Sequence, residues 1–296
     1  MPTPEWLAEQ FEGHRPRLRA VAYRLLGSVS EAEDALQESW IRLGRTDVRD
    51  VANLRAWLTT VVARVCLDLL RTRTSRREDP LDEHAVHVPD PVITRAGGSP
   101  ESDAMFADSV GLALLVVLEA LAPVERLAFV LHDVFGMTFD DIAPIVGRTP
   151  VAARQLASRA RRRVQRHAPN ADPDVRQQRR VLDAFIAAVR DGDFERLVAV
   201  LDPDIVLRAD VGALAGASHV VRGAHAVAER ATAFSRLGLS NHLVLVNGNL
   251  GFVSRRPDGR PFAVLGFAVA GGKVVEIDIL ADPERLSRLD LSAIEG

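Results

Sequence analysis

Residues Met137 to His167 read MTFDDIAPIVGRTPVAARQLASRARRRVQRH, and this stretch decides what the rest of the chain must be. It predicts two short helices joined by a tight turn. Thr138 is placed to cap the first helix, with Asp141 three residues on as its reciprocal partner. Gly147 ends that helix, where a residue tolerant of the left-handed conformation is needed. Thr149 caps the second helix, and Pro150 takes its first position, where a missing N–H costs nothing. Ile142, Ala143, Val146, Ala153 and Leu156 have the spacing with which two crossed helices bury a small shared core. Pro144 lies inside the first helix and is expected to bend it. The layout is helix-turn-helix, whose second helix enters the major groove of DNA.

Charge agrees with that layout. Seven arginines and no acid lie between Arg148 and His167, and arginine meets phosphates and guanine edges in bidentate fashion. A basic helix end is also favoured by the helix dipole alone. Capping, turn and charge together favour DNA. The net charge of the 296 residues is −3, so the basic character is local, in patches at 71–77 and 148–166. The chain is long enough for two or three domains, and its 47% hydrophobic and 26% charged residues are those of a globular protein. No apolar run reaches the length of a membrane span. The start, MPTPEWLAEQFEGHR, is unlike a secretory signal, so the expected location is cytoplasmic. One cysteine, Cys66, excludes an internal disulfide and a cysteine-rich metal site, and no metal or cofactor is expected.

Upstream of the decisive stretch, apolar residues at helical spacing predict a helix over Pro4–Leu26. Ser30 and Glu33 form a capping box for a second helix to about Gly44, with Ala35, Leu36, Trp40, Ile41 and Leu43 inward. A third helix runs from Leu54 to Arg73. Prolines 80, 89, 91 and 100 and the pair Gly97–Gly98 mark residues 78–102 as a flexible linker. Helical periodicity resumes at Met105, so 103–168 form a second helical unit. A short linker, 169–176, leads to residues 177–296, which change character. Helices come first, then strand-like runs HLVLV, LGFVSR, FAVLGFAVA and VVEIDIL, separated by the turn signals NGN, PDGR and GG. This predicts an α+β unit with a curved antiparallel sheet wrapped over helices.

Two helical units around a linker, carrying EDALQESWIRL, AWLTTVVARVCLDLLR and LAPVERLAFVLHDVFGMTFDDIAPIVGRTPVAARQLASRARRRV, resemble an extracytoplasmic-function sigma factor of the sigma-70 family. The resemblance makes 1–77 sigma region 2 and 103–168 sigma region 4, both all-α. Val65, Pro144 and Arg148 depart from the usual pattern. Residues 177–296 resemble the SnoaL-like, nuclear-transport-factor-2-like cone, most clearly at GDFERLVAVLDPDIVLRAD and at ADPERL. Sigma factors with such a C-terminal extension form a subgroup that this chain resembles, and ADVGALAGAS lacks the glycine run usual in it.

The resemblance implies a non-enzymatic factor that brings core RNA polymerase to promoter DNA. Asp34, Gln37 and Glu38 are then the polymerase contact. Asp47, Asp50 and Asn53 would read an unstacked −10 base, with Arg64, Arg71, Arg73, Arg76 and Arg77 on phosphates. On the recognition helix, Val151, Ala152, Arg154, Gln155 and Ser158 reach −35 base edges, and Arg159, Arg161, Arg162, Arg163 and Arg166 meet phosphate. Asp210, His225, His242 and Asp278 are candidates to line a regulatory cavity in the cone, with a small-molecule ligand as a further partner. The alternative is a stand-alone helix-turn-helix regulator with a ligand-binding C-terminal domain.

Overall fold

The structure, a computed structural model, describes residues 4–45, 51, 53–77, 86–95, 111–167, 174–212 and 219–294. It divides into two compact units, Met1–Leu81 with Val117–His167, and Asp82–Val116 with Ala168–Gly296. Each is a body with its own core.

The first unit is all-α. Its helices are α1 (Pro4–Leu26), α2 (Val29–Leu43), α3 (Leu54–Arg77), the end of α4 (Leu112–Glu119), α5 (Pro123–Phe129), α6 (Phe139–Val146) and α7 (Pro150–His167). A wider π turn, Val130–Val134, continues α5, with Phe135 N–H donating to the Val130 carbonyl at 3.2 Å. Helix α2 starts earlier than expected, because Ser28 caps it by accepting from Glu31 N–H at 3.4 Å. SVSEAE offers two overlapping capping boxes, and the upstream one adds two helical residues, Val29 and Ser30. Glu33 is thereby released to pair with Arg15 at 3.0 Å and Arg19 at 2.6 Å on α1.

Trp40 and Ile41, expected inward, are 37% and 41% exposed. The stripe facing α1 and α3 is filled by Ala32, Ala35, Leu36, Ser39 and Leu43 instead. Ser39 is tolerated inside because its hydroxyl donates to the Ala35 carbonyl at 2.7 Å.

The first three helices and the helix-turn-helix pack as one body, although the sequence predicts separate units. Leu18, Leu25, Leu58, Leu67, Leu127 and Leu131 are among its fully buried side chains, each contributing roughly 1.5–3 kcal/mol by leaving water. Buried Arg126 ties the halves, donating to the Leu25 carbonyl at 2.8 Å and the Glu119 carbonyl at 2.7 Å. Arg17 donates to the Phe135 carbonyl at 3.0 Å, and the guanidinium groups of Arg17 and Arg24 lie 5.3 and 5.4 Å from the Phe135 ring centre. Periodicity shows which face of each helix is apolar, but not which helix covers it.

The second unit is a seven-stranded sheet with three helices on its concave side and a short one against the opposite face. Its strands are β1 (Ile93–Arg95), β2 (Leu201–Asp210), β3 (His219–Arg222), β4 (Ser240–Val246), β5 (Asn249–Arg255), β6 (Pro261–Ala270) and β7 (Lys273–Leu280), in the order β1-β4-β5-β6-β7-β2-β3. All pairs are antiparallel except β2 with β7, which is parallel. The helices are α8 (Val175–Asp191), α9 (Phe194–Val200), α10 (Ala224–Ser235) and α11 (Pro283–Leu286). The turns follow the sequence signals: Asn247 and Gly248 both have positive φ between β4 and β5, as do Gly271 and Gly272 between β6 and β7.

Residues 86–95, expected to be part of a flexible linker, are built into this unit. They cross the convex face of the sheet as a strap ending in β1, which pairs with β4. Val88 and Ile93 enter a second core with Leu112, Val246, Val264 and Leu286. Val92 N–H donates to Asn247 Oδ1 at 3.0 Å, and Asn247 N–H returns a 2.8 Å bond to the Val92 carbonyl. Prolines read as loop signals because they cannot donate to a ladder, yet Pro89 and Pro91 are buried here and the strap joins the edge of the sheet, where proline is allowed. Among the described residues no helix is long and apolar enough to cross a membrane.

Candidate nucleic-acid interface and interior cavity

The helix-turn-helix forms as its capping residues dictate. Thr138 accepts from Asp141 N–H at 3.2 Å, and its hydroxyl donates to Asp141 Oδ2 at 2.7 Å. Gly147 is left-handed at φ 65°, and Thr149 accepts from Ala152 N–H at 3.2 Å. Ile142, Ala143, Val146, Ala153 and Leu156 are all buried, as their spacing predicts. Pro144 sits on the exposed side of α6, which continues through it.

On α7, Arg154, Gln155, Arg159, Arg162 and Arg163 are exposed, Ala152 and Ser158 half-buried, and Val151 is 68% exposed. An apolar side chain left so open at the start of the helix suits contact with a thymine methyl. The arginines are not equivalent. Arg154 lies 5.3 Å from the Phe139 ring centre, and that ring stacks on His132 at 3.9 Å. His132 is itself held by Nδ1 to the Met137 carbonyl at 2.9 Å. This column presents Arg154 in a set direction, and the sequence reading missed Phe139 and His132 as its supports. Arg159 and Arg163 both approach Glu125, at 3.4 and 3.8 Å, and Arg161 Nε donates to Asp133 at 3.0 Å. Arg154 and Arg162 form no ion pair with the described residues.

On α3, Asn53 caps the helix, its Oδ1 accepting from Ala56 N–H at 3.0 Å. Its carbonyl oxygen is committed to the helix, leaving the amide nitrogen for a base. Asp47 and Asp50 lie outside the described residues, as do the side chains of Arg76 and Arg77. Arg64 and Arg71 are exposed. Arg73 differs from expectation: it pairs with Glu31 and donates to the Leu26 carbonyl at 3.0 Å, so it joins α3 to the α1–α2 turn. Arg64 shares a surface groove with Arg42, Arg45, Trp57 and Thr60. Arginines around an aromatic face are the makings of a single-strand platform. Helical spacing alone groups Trp57 with Leu58 and Val61 on the apolar side of its helix, which hides this grouping.

Asp34, Gln37 and Glu38 are exposed on α2, with Glu38 also bonded to Arg42 at 2.9 Å. Gln37 borders a groove with Phe11, Leu36 and Trp40, and the Phe11 and Trp40 rings lie 5.2 Å apart. Glu12, Arg15 and Glu33 also line this groove, so Gln37 and the half-open Trp40 ring stand beside a mixed polar and apolar surface.

In the second unit a cavity of about 580 Å³ lies between the concave face and helices α8 and α10. Its walls include Phe185, Phe234, Phe252, Phe262, Leu265 and Ile277, and its polar groups include His219, Arg230, Asn241 and Ser254. None of the four residues expected to line a cavity does so. Asp210, His242 and Asp278 sit on strands β2, β4 and β7, one residue out of phase with the wall residues Ala209, Asn241, Ile277 and Ile279. Alternation sends them to the other face. His225 is exposed on α10, its ring 5.9 Å from Phe194.

The convex face holds two polar clusters instead. Arg208 pairs with Glu276 and, at 3.1 Å, with Asp278. Burial, with the neighbouring Asp278 charge, pushes the Glu276 carboxyl up to about 8 against the pull of Arg208. Burial likewise raises Asp278. Arg285 forms the second cluster. It donates to Asp90 Oδ1 at 2.7 Å, Asp210 Oδ2 at 2.7 Å and the Val88 carbonyl at 2.6 Å. Asp210 also accepts from Val88 N–H at 3.0 Å and pairs with His87 at 3.3 Å. Burial raises the Asp210 carboxyl, but bonds from His87 and Val88 and the charge of Arg285 outweigh it and bring it down to about 2. Arg285 is aimed by Asp282, whose carboxylate caps α11 at Glu284 and Arg285 N–H. ADPERL is therefore the anchor of the strap.

Three family models match successive parts of the chain: Sigma-70 region 2 over residues 10–76, Sigma-70 region 4 over 111–164, and a SnoaL-like domain over 182–279. The chain is 38% identical over 295 residues to the ECF RNA polymerase sigma factor SigJ of Mycobacterium tuberculosis, spanning 94% of this chain and 92% of that one. It is 35% identical over 287 residues to a protein of the same species named "Probable ECF RNA polymerase sigma factor SigI", spanning 94% of each. The crystal structure of the Mycobacterium tuberculosis extracytoplasmic function sigma factor SigJ aligns with a TM-score of 0.75 at 34% identity, over 96% of this chain and 99% of that one.

Proposed function

The chain belongs to the extracytoplasmic-function RNA polymerase sigma factors, and from that premise we propose how its parts divide the work. As such a factor it directs core polymerase to promoters and initiates transcription. Its work lies in the cytoplasm, on promoter DNA, and it makes no covalent change of its own. The stand-alone regulator gives way, since region 2 occupies residues 10–76 and a simple repressor has no use for it.

Region 4 reads the −35 element through Val151, Ala152, Arg154, Gln155 and Ser158, with Arg159, Arg162 and Arg163 on phosphate. Region 2 engages the −10 element through Asp47, Asp50, Asn53, Arg64 and Arg71. Arg42, Arg45 and Trp57 join this surface. Asp34, Gln37 and Glu38, with Trp40 and Ile41, meet the polymerase.

The C-terminal unit regulates these contacts by holding the chain between regions 2 and 4. The observation that carries this reading is the strap: residues 86–95 lie between the two sigma matches and are bonded into the C-terminal sheet through β1 and Arg285. A domain on the same chain acts at high effective concentration, so a modest grip suffices to bias the linker. Polymerase sets the distance between −10 and −35 contacts, and the linker must adopt the path that polymerase imposes.

The test is transcription in vitro with core enzyme and a promoter library, comparing the full chain with truncation near residue 170 and with Arg285→Ala. Both variants should change output on the same promoters and in the same direction. Unchanged output from every promoter for both would refute the regulatory reading.

A further inference from the structure

The cavity of the C-terminal unit carries more chemistry than the reading above uses. Its volume of about 580 Å³ lies in the range of small-molecule sites, about 300–1,000 Å³. Its walls are apolar and rich in rings. Phe252 meets Phe267 edge-on at 5.7 Å, and Phe234 meets Phe262 at 6.1 Å. Such walls accept the edge or face of a flat ring system.

The polar groups are few, and the charged ones are all cationic. Among the described lining residues there are two arginines, Arg190 and Arg230, and no Asp or Glu. Arg190 is paired with Asp191 at 3.3 Å, which leaves Arg230 as the principal positive charge at the cavity. Arg230 lies 2.9 Å from His219 Nε2. A guanidinium can only donate, so His219 accepts at Nε2 and helps hold Arg230 at the cavity. Across the β4–β5 ladder, Ser254 donates to Asn241 Oδ1 at 2.6 Å. That bond uses the amide oxygen and presents the Asn241 nitrogen as another donor. Arg230 and Phe234 are exposed at the rim, while Phe185 and Phe252 lie deeper. A bound anion would stay partly hydrated there, avoiding the cost of full burial.

We propose that this cavity binds a ring-bearing, largely apolar organic acid, its rings against the phenylalanines and its carboxylate or phenolate on Arg230. Asn241 receives a further oxygen of the same molecule. A cation finds no counter-charge among the described wall residues, and a purely hydrocarbon ligand would leave the donors unanswered. This rests on the regulatory reading only for its consequence in transcription. The site itself is tested by binding, so either idea can fail without the other.

The probes are 8-anilinonaphthalene-1-sulfonate, an anion on an aromatic body, and N-phenyl-1-naphthylamine, its near-isosteric neutral counterpart. Each is titrated by fluorescence into the full chain. The anionic probe should bind saturably and more tightly than the neutral one. Arg230→Gln, at an exposed helix position, should weaken the anionic probe by roughly tenfold or more and leave the neutral probe unchanged. Ala231→Trp, which fills the cavity from α10, should abolish both, with circular dichroism confirming the fold. Equal affinity for both probes in the unaltered chain, or undiminished sulfonate binding in Arg230→Gln, would overturn the proposal. Retention of both probes by a folded Ala231→Trp would do the same.

Discussion

Arg285→Ala removes the cation that holds the strap. The guanidinium side chain is 17% exposed, and its partners Asp210 and Asp90 are 7% and 16% exposed. Breaking one side of a buried ion pair costs about 3–5 kcal/mol. Some of that is recovered here, because Asp210 keeps bonds from Val88 N–H at 3.0 Å and Gly212 N–H at 3.2 Å, and Asp90 can turn to water. A loss of about 2–3 kcal/mol in strap docking remains, which is roughly a 30- to 150-fold rise in the open population. Hydrogen exchange on the full chain reads this directly. Amides in 86–95 should exchange faster by about that factor, while Val253 in the interior strand β5 stays protected. Arg285→Lys should fall between, since an ammonium keeps the charge but loses the planar fork. If exchange across 86–95 changes by less than about threefold in Arg285→Ala, the clamp argument is wrong.

Three further outcomes follow from the same geometry. Arg154→Ala should lower affinity for a cognate −35 duplex by about 1–3 kcal/mol with little effect on scrambled DNA, whereas Arg162→Ala should weaken both alike and reduce the salt dependence; equal losses on both duplexes for both variants would defeat the assignment. Cys66 is fully buried and its thiol is pushed far above the ordinary range, so the native chain should resist thiol reagents that label it in denaturant; stoichiometric native labelling would contradict this. The raised Glu276 carboxyl binds a proton that the unfolded chain has released, so stability should fall as pH rises from the ordinary carboxyl range towards about 8. Glu276→Gln should flatten that slope in urea unfolding. Asp210 acts oppositely: its depressed value gives stability that is present above the ordinary carboxyl range and lost as pH falls towards about 2. An unaltered slope in Glu276→Gln would remove Glu276 from the account.

The helix-turn-helix was legible because its determinants are local. Thr138, Gly147, Thr149 and Pro150 act through neighbours within a few residues, and the buried set Ile142 to Leu156 follows from the helical period. The hairpin turns at Asn247–Gly248 and Gly271–Gly272 were legible for the same reason. The strand runs β4 to β7 were found, but β3, a four-residue edge strand, carries too short a pattern to signal itself. Which face of those strands meets the cavity was not legible. An alternating strand such as VVEIDIL has two mostly apolar sides, Glu276 and Asp278 being the exceptions, and Asp278 was assigned to the cavity when it belongs, with Glu276, to the other face.

By itself, then, the sequence determined the kind of protein: two sigma regions and a cone, their caps, turns and helical stripes, and the exposed α7 residues set out for DNA. Those features depend on near neighbours and on periodicity. The tertiary structure decided what depends on partners distant along the chain. It sorted the arginines of α7 by whether Glu125 or Asp133 stands opposite, exposed Trp40 beside Phe11, and turned the cavity towards Arg230. Above all, it showed residues 86–95 as a strap, because Asp90, Asp210 and Arg285 form a clamp only when the fold brings them together.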